Sequence, residues 1–224
     1  MAGSIRICLI ADGFFDDFAK CVESIKKFTD APISIFASGK ENKVAEERFG
    51  ATWQKNKLGW GHSVNYFLKS FSERYIVIMD PSTNFLGDAI TPTLDKLEDG
   101  YEGVGWRGGL VNVDDDWRSV DDRGVGEVDV IFSYFFAFNR EFAVRAGGAN
   151  PSATYYRNAD IELSLALRAA GGKLWQFELP LEQGRHHGYH DVDPEYREKK
   201  SKENYNRILE KYRGRTEILS PRRQ

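Results

Sequence analysis

The sequence predicts an α/β fold in one domain, with a mainly parallel central sheet flanked by helices, a small antiparallel addition and a C-terminal helix. Three observations predict it. β-Branched apolar runs alternate with helical patterns through the first third of the chain, and the connections between them are short. The run Tyr75-Ile-Val-Ile-Met79 is apolar throughout, as a strand buried on both faces must be. A chain of 224 residues is long enough for one such domain with its own core, and no repeat or boundary divides residues 1–224.

Residues 5–10 read as the first buried strand, followed by Phe18, Cys21, Val22, Ile25 and Phe28 at helical spacing. Residues 33–37 are the second strand. A charged helix over 42–48 leads to a short strand near 51–53, and Val64, Phe67, Leu68 and Phe71 share one face of the next helix. The strand from Tyr75 then ends on Asp80-Pro81-Ser82. Residues 89–97 form a helix, and Gly103-Val-Gly-Trp-Arg-Gly-Gly109 leads into 114–124, an acidic segment without a usable period that reads as a mobile, solvated surface loop. Residues 128–138 read as one long apolar and aromatic strand, running into a helix that stops at Gly147-Gly148. A helix over 158–170 is stopped by Gly171-Gly172, and a strand covers 173–177. The chain finishes with Arg185-His-His-Gly-Tyr-His190 and an amphipathic helix bearing Tyr205, Ile208, Leu209 and Tyr212.

Composition excludes several classes of function. Hydrophobic content of 41% with only 7 prolines argues for a packed core rather than a disordered chain. A net charge of -3 gives no basic domain for nucleic acid. Charge is uneven, with seven acids against two arginines over 114–129 and ten Lys/Arg against four Glu over 197–223. The basic tail reads as a solvated helix face, or as a weak contact with anionic lipid or an acidic acceptor. Cys8 and Cys21 lack metal-ligand spacing and read as buried thiols. No run approaches the roughly 20 apolar residues of a membrane helix, and the first residues lack the charged leader of a signal peptide, so a soluble cytoplasmic protein, at most peripheral to the membrane, is expected.

Candidate chemistry gathers in four places. Asp80 stands at the carboxyl end of a central strand, where open α/β sheets bind ligands, although Asp also caps turns before proline. Asp160-Ile-Glu162 opens a helix behind the aromatic and basic lead-in Tyr155-Tyr156-Arg157. Asn158 or Asp160 suits a cap there, and a carboxylate beside a cleft suits a general base. Three of the 4 histidines fall within residues 186–190. Trp106-Arg107-Gly108 offers an indole face for a sugar ring and a guanidinium for phosphate or hydroxyl groups, with core packing of Trp106 as the equal alternative. The acidic segment around Trp117 is a candidate cover for such a pocket.

The order of Cys21-Val-Glu-Ser-Ile25, Asn56-Lys-Leu-Gly59-Trp-Gly61-His-Ser-Val-Asn65, Asp80-Pro-Ser82, Phe135-Phe-Ala-Phe-Asn-Arg140 with Gly147-Gly148, and Asp160-Ile-Glu162 with Arg168-Ala-Ala-Gly171 resembles the family 2 glycosyltransferases of the GT-A fold. The resemblance covers nearly the whole chain. It implies inverting transfer of a sugar from a nucleoside-diphosphate sugar, UDP or GDP, to a hydroxyl of a glycan or other acceptor. The nucleotide would lie on residues 1–100 and the acceptor on 101–224. Asp160 is then the general base, and Asp80 holds Mg²⁺ or Mn²⁺ with His186 or His190, His187 being the alternative. Asp12, Asn56, Gly59, Asn65 and Ser82 fall on the donor side. Trp106, Arg107, Gly108, Tyr156, Arg157 and Glu162 fall on the acceptor side.

The chain departs from the family at two points. Ser82 replaces the second acid of the usual metal motif, and Ile33-Ser-Ile-Phe-Ala-Ser-Gly39 lacks the acid that many members aim at the base, leaving Asp12 either that role or the Asp12-Gly13 turn. A sugar-1-phosphate nucleotidyltransferase is disfavoured, because no glycine-rich, lysine-bearing loop follows the first strand. A non-catalytic sugar-nucleotide or glycan-binding module is the alternative of a different class.

Overall fold

The computed structural model describes residues 4–223. The first half runs β1 (Ile5–Ala11), α1 (Phe15–Phe28), β2 (Ile33–Ser38), α2 (Val44–Phe49), β3 (Thr52–Gln54), α3 (Trp60–Ser70), β4 (Tyr75–Met79), β5 (Thr83–Phe85) and α4 (Ile90–Glu98). Short strands follow: β6 (Gly103–Gly105), β7 (Gly108–Val111), β8 (Val120–Asp121), β9 (Gly126–Val128), β10 (Val130–Ile131) and β11 (Phe135–Asn139). The chain continues with α5 (Arg140–Arg145), α6 (Ala159–Ala169), β12 (Leu174–Gln176), β13 (Leu181–Gln183), α7 (His187–His190) and α8 (Pro194–Tyr212).

The central sheet has the order β3-β2-β1-β4-β11-β6-β12-β9. Its first four strands are parallel, β11 runs antiparallel to its neighbours β4 and β6, β6 and β12 run with the first four, and β9 ends the sheet antiparallel to β12. Two small antiparallel sheets, β10-β7-β8 and β13-β5, form the expected addition. The all-apolar run of β4 has the predicted cause: Tyr75, Val77 and Met79 join the cluster on one face, and Ile76 and Ile78 the cluster on the other. Connections from β1 lead to β2 on one side, and β4 lies on the other, so the strand order reverses beside the carboxyl end of β1. That reversal leaves a crevice bordered by Ala11, Ser38 and Met79.

Two readings of the sequence need correction. Residues 128–138 form no single strand but β9, β10 and β11, shared between two sheets. The break has a physical cause in Asp129. Its fully buried carboxylate accepts the N–H groups of Val111 at 2.8 Å and Ser220 at 2.6 Å and pairs with Arg223, which no straight strand in this run could allow. Residues 114–124 lie largely exposed at the surface, as expected, but they are folded: Trp117 is buried under α8, the Asn112 side chain accepts from the N–H groups of Asp114 and Asp115, and β8 pairs with β7. Turns of this kind have no sequence period to find.

Cys8 and Cys21 are buried, as expected, and burial pushes both thiols up. The arginines of the basic tail are mostly paired within the chain, several of them at the surface. Arg213 pairs with Asp116, Arg215 with Glu217 and Arg223 with Asp129, and Arg222 donates to the carbonyls of Arg123 and Gly124. Among the described residues, no helix is long and apolar enough to cross a membrane.

The start of α3 explains part of the glycine-bearing segment. A Cβ on Gly59 would lie 2.4 Å from Thr154 Cα, and one on Gly61 1.9 Å from the Asn150 carbonyl oxygen. The two glycines let α3 press on the loop that carries Tyr155 and Tyr156. Gly61→Ala should therefore destabilise the protein by about 1–3 kcal/mol through overpacking, read from the urea midpoint. An unchanged midpoint would show that this contact is slack.

Candidate functional site

Two cavities open along the carboxyl ends of the central strands. The first, about 360 Å³, lies over the crevice and is bordered by Ala11, Asp12, Ser38, Lys57 and Asp80. The second, about 810 Å³, lies towards α6 and α8 and contains Asp160, Arg157, Tyr134 and His186. Both volumes fall in the range of small-molecule sites. Asp80, Ser133 and Tyr156 line both cavities and form the wall between them.

Ser133 fixes the two carboxylates relative to each other. Its carbonyl accepts the Asp80 backbone N–H at 2.8 Å, and its own N–H donates to Asp160 Oδ2 at 2.9 Å, with the hydroxyl donating to the same oxygen at 3.2 Å. Asp160 sits in the first turn of α6 and is buried. Burial pushes its carboxyl up to about 6, against the hydrogen bonds from Ser133 and the Ile161 N–H, which favour the anion. A carboxylate with this value can take a proton from an acceptor near neutral pH.

Asp80 is held differently. Its Oδ1 accepts the Ser82 N–H at 2.8 Å and the Ser82 hydroxyl, which in turn accepts from Gln183 Nε2. The two oxygens of Asp80 thus have separate surroundings. Oδ2 faces His186 Nδ1 at 3.4 Å, too long for a good hydrogen bond, and that nitrogen is buried without any hydrogen-bond partner. Burial holds His186 below its ordinary pKa despite the pull of Asp80, which favours the neutral imidazole that ligates metals. An orphaned buried nitrogen beside a carboxylate oxygen fits a divalent cation. Among the described residues no group of three or more His, Cys, Asp or Glu gathers for a metal, so substrate phosphate and water must complete such a site. The rings of Tyr134 and Tyr156 pack on His186 at 5.5 and 4.9 Å and keep it in place.

The other predicted residues divide between the cavities and the scaffold. Asp12 both begins the turn and borders the first cavity; its Oδ1 accepts from Asn42 Nδ2 at 2.8 Å and pairs with Lys57. Asn56 is exposed and lines neither cavity; Lys57 stands there instead. Asn65 bonds both the Ala149 N–H and carbonyl, tying α3 to the loop after α5. Ser82 acts through Asp80. Tyr156 and Arg157 line the second cavity. Glu162 does not, since it is buried against Asn150 and Arg207. Trp106 packs in the core and, with Arg107 and Gly108, borders a smaller third cavity beside Tyr134. Gly108 is required by pairing, because a Cβ there would meet the Val130 carbonyl oxygen at 2.2 Å.

Of the histidines, His190 is exposed on the second cavity. His187 is bound elsewhere: it bridges Asp17 at 2.6 Å and Asp191 at 2.7 Å and stacks on Phe14 at 4.0 Å, roofing the first cavity. Burial opposes its charge, but the bonds to Asp17 and Asp191 outweigh burial and raise its pKa. Ser133, Tyr134 and Gln183 escaped the sequence reading. Only the position of Ser133 four residues after a buried Asp in an apolar run hinted at a turn.

No family model matches the chain, and no curated protein matches it. Solved structures do. The chain is similar to a mannosyltransferase, PcManGT from Pyrobaculum calidifontis in complex with GDP-Man and Mn²⁺, with a TM-score of 0.59 at 14% identity, over 78% of this chain and 55% of that one. It is also similar to GalNAc-T7 with UDP, GalNAc and Mn²⁺, with a TM-score of 0.68 at 13% identity, over 92% of this chain and 47% of that one. The chain thus spans about half the length of these structures. The likeness shows the fold, a GT-A-like α/β domain.

The raised carboxyl of Asp160 makes a stability prediction. Below about pH 4 the group is protonated whether the chain is folded or unfolded, and between about 4 and 6 only the folded chain keeps the proton. Its contribution to stability is therefore fully present at low pH and lost as pH rises through about 6. Asp160→Asn should gain on the wild type by up to about 3 kcal/mol between pH 4 and 8 in urea unfolding. A gap independent of pH would contradict the burial of a charged Asp160.

Proposed function

We propose that the chain transfers a sugar from a nucleoside diphosphate to an acceptor hydroxyl, with the donor in the first cavity and the acceptor in the second. The wall shared by the two cavities carries this reading. It holds Asp80 between the two cavities, within reach of both, and the Ser133 turn holds Asp160 on the acceptor side. The GDP-Man, UDP and Mn²⁺ in the similar structures support a nucleotide-sugar donor and a divalent cation here.

Asp80 Oδ2 and His186 Nδ1 would hold the cation, which when bound neutralises charge developing on the leaving diphosphate. Asp80 Oδ1 is already committed to Ser82, so the carboxylate cannot rotate away from the donor. Asp160 accepts the proton of the attacking hydroxyl. The hydroxyl oxygen then bonds to the anomeric carbon as the bond to the diphosphate oxygen breaks, and attack from the cavity opposite the leaving group inverts that carbon. Tyr134 and Tyr156 remain neutral beside these carboxylates, because burial, together with Asp80 and Asp160, raises both phenols. His187 and Phe14 exclude water from the donor side.

Replacing Asp160 with Asn should cut transfer about 10²–10⁴-fold while nucleotide affinity persists. Asp80→Ala and His186→Ala should each weaken Mn²⁺-dependent binding of UDP or GDP in calorimetry. Undiminished transfer by Asp160→Asn would refute its role as base, and unchanged nucleotide affinity in both other variants would refute the cation site.

A further inference from the structure

Most arginines in this protein are paired. Eleven form ion pairs with acids, and Arg197 and Arg222 donate to backbone carbonyls. Among the described residues, the side chains of Arg107, Arg118, Arg145 and Arg157 have neither an ion pair nor a hydrogen bond. Three of these four border one region. Arg118 and Arg157 line the second cavity, and Arg107 lines the third, which shares Val120, Phe132, Tyr134 and Gln183 with it.

The three come from separate segments: the β6–β7 connection, the β7–β8 turn and the loop before α6. Their convergence is therefore a property of the fold, not of a basic stretch. Burial raises the phenols of Tyr134 and Tyr205; Arg107 and Arg157 oppose this at Tyr134, against Asp80 and Asp160, and Arg118 opposes it at Tyr205, against Asp115 and Asp116. The planes of Arg107 and Arg157 rest on Trp106 at 4.5 Å and Tyr189 at 5.2 Å, which orders them while leaving their N–H groups unused. None of the three lines the first cavity. They are thus placed away from the proposed donor diphosphate.

We propose that the acceptor is an acidic sugar, a glycan bearing carboxylate or phosphate groups, bound by Arg107, Arg118 and Arg157. This rests on reading the second cavity as the acceptor side. Planar guanidiniums recognise both anions by paired N–H donation, and the rings of Tyr134, Tyr189 and Tyr205 supply faces for the sugar. The acidic group answers the three free charges, while a hydroxyl of the same sugar reaches Asp160.

Calorimetric titration of the whole protein tests the proposal with three probes: a hyaluronan tetrasaccharide for carboxylates, mannose 6-phosphate for phosphate, and cellotetraose as the neutral control. Each is run with Mn²⁺ and UDP or GDP, and again without nucleotide. At least one acidic probe should bind at least about tenfold more tightly than cellotetraose, more weakly at high salt, and lose about tenfold with each of Arg107→Gln, Arg118→Gln and Arg157→Gln. Arg145→Gln, on α5 away from every cavity, should change nothing. The acidic probe that binds identifies the anion. The proposal is overturned if cellotetraose binds as well as both acids, or if the three variants bind acids like the wild type. Loss of nucleotide affinity in those variants would also overturn it, by giving the arginines to the donor. If no nucleotide binds at all, the transferase reading fails, while the titrations without nucleotide still decide the acid site.

Discussion

The arrangement of the candidate site depends on the Ser133 turn. One residue takes the Asp80 N–H on its carbonyl and gives its own N–H to Asp160, so that the end of a central strand and the start of α6 are joined through a single residue. Only the φ and ψ of Ser133 lie between those two bonds, because the flanking peptide units are planar. A change at Ser133 that moved either carboxylate would move the other as well. The buried strands β4 and β11 on either side make the turn rigid, since their side chains fill both faces of the sheet.

From this constraint the two carboxylates acquire different chemistry. Asp160 is shut away from water and holds its proton to about pH 6. Asp80 has one oxygen bound by the Ser82 N–H and hydroxyl and the other directed at an unpartnered imidazole nitrogen. A hydroxyl at position 82 is a weak ligand for a hard cation, but it is well suited to orienting one. Ser82 thus serves as a support for Asp80, and the cation site proposed here takes its further ligand from His186.

The sequence made the sheet legible because alternation of buried strands and amphipathic helices is a local pattern that survives in the chain. Asp80 and Asp160 stood out for a related reason: each sits at an element end, where a carboxylate serves as a cap or faces a ligand crevice. The break at Asp129 was not legible, because its partners Val111, Ser220 and Arg223 are distant in sequence. The same holds for Trp117, whose burial depends on α8. Asn65 and Gly59 stood out as candidates for ligand contact, yet each, like Gly61, serves the docking of α3 on the loop after α5. Composition alone does not separate a glycine needed by a ligand from one needed by a neighbouring backbone.

Division of labour across one wall also accounts for the roles of the surrounding segments. The segment around α7 covers the first cavity through His187 and borders the second through His186, so a single short stretch serves both cavities. The most direct measurement is the pH dependence of donor turnover, as kcat/KM with Mn²⁺, in the wild type and Asp160→Asn. Turnover in the wild type should fall below about pH 6 with the titration of one group, and the residual turnover of the variant should show no such limb. A wild-type rate that stays level to pH 5, or a variant with the same limb, would show that Asp160 is not the base.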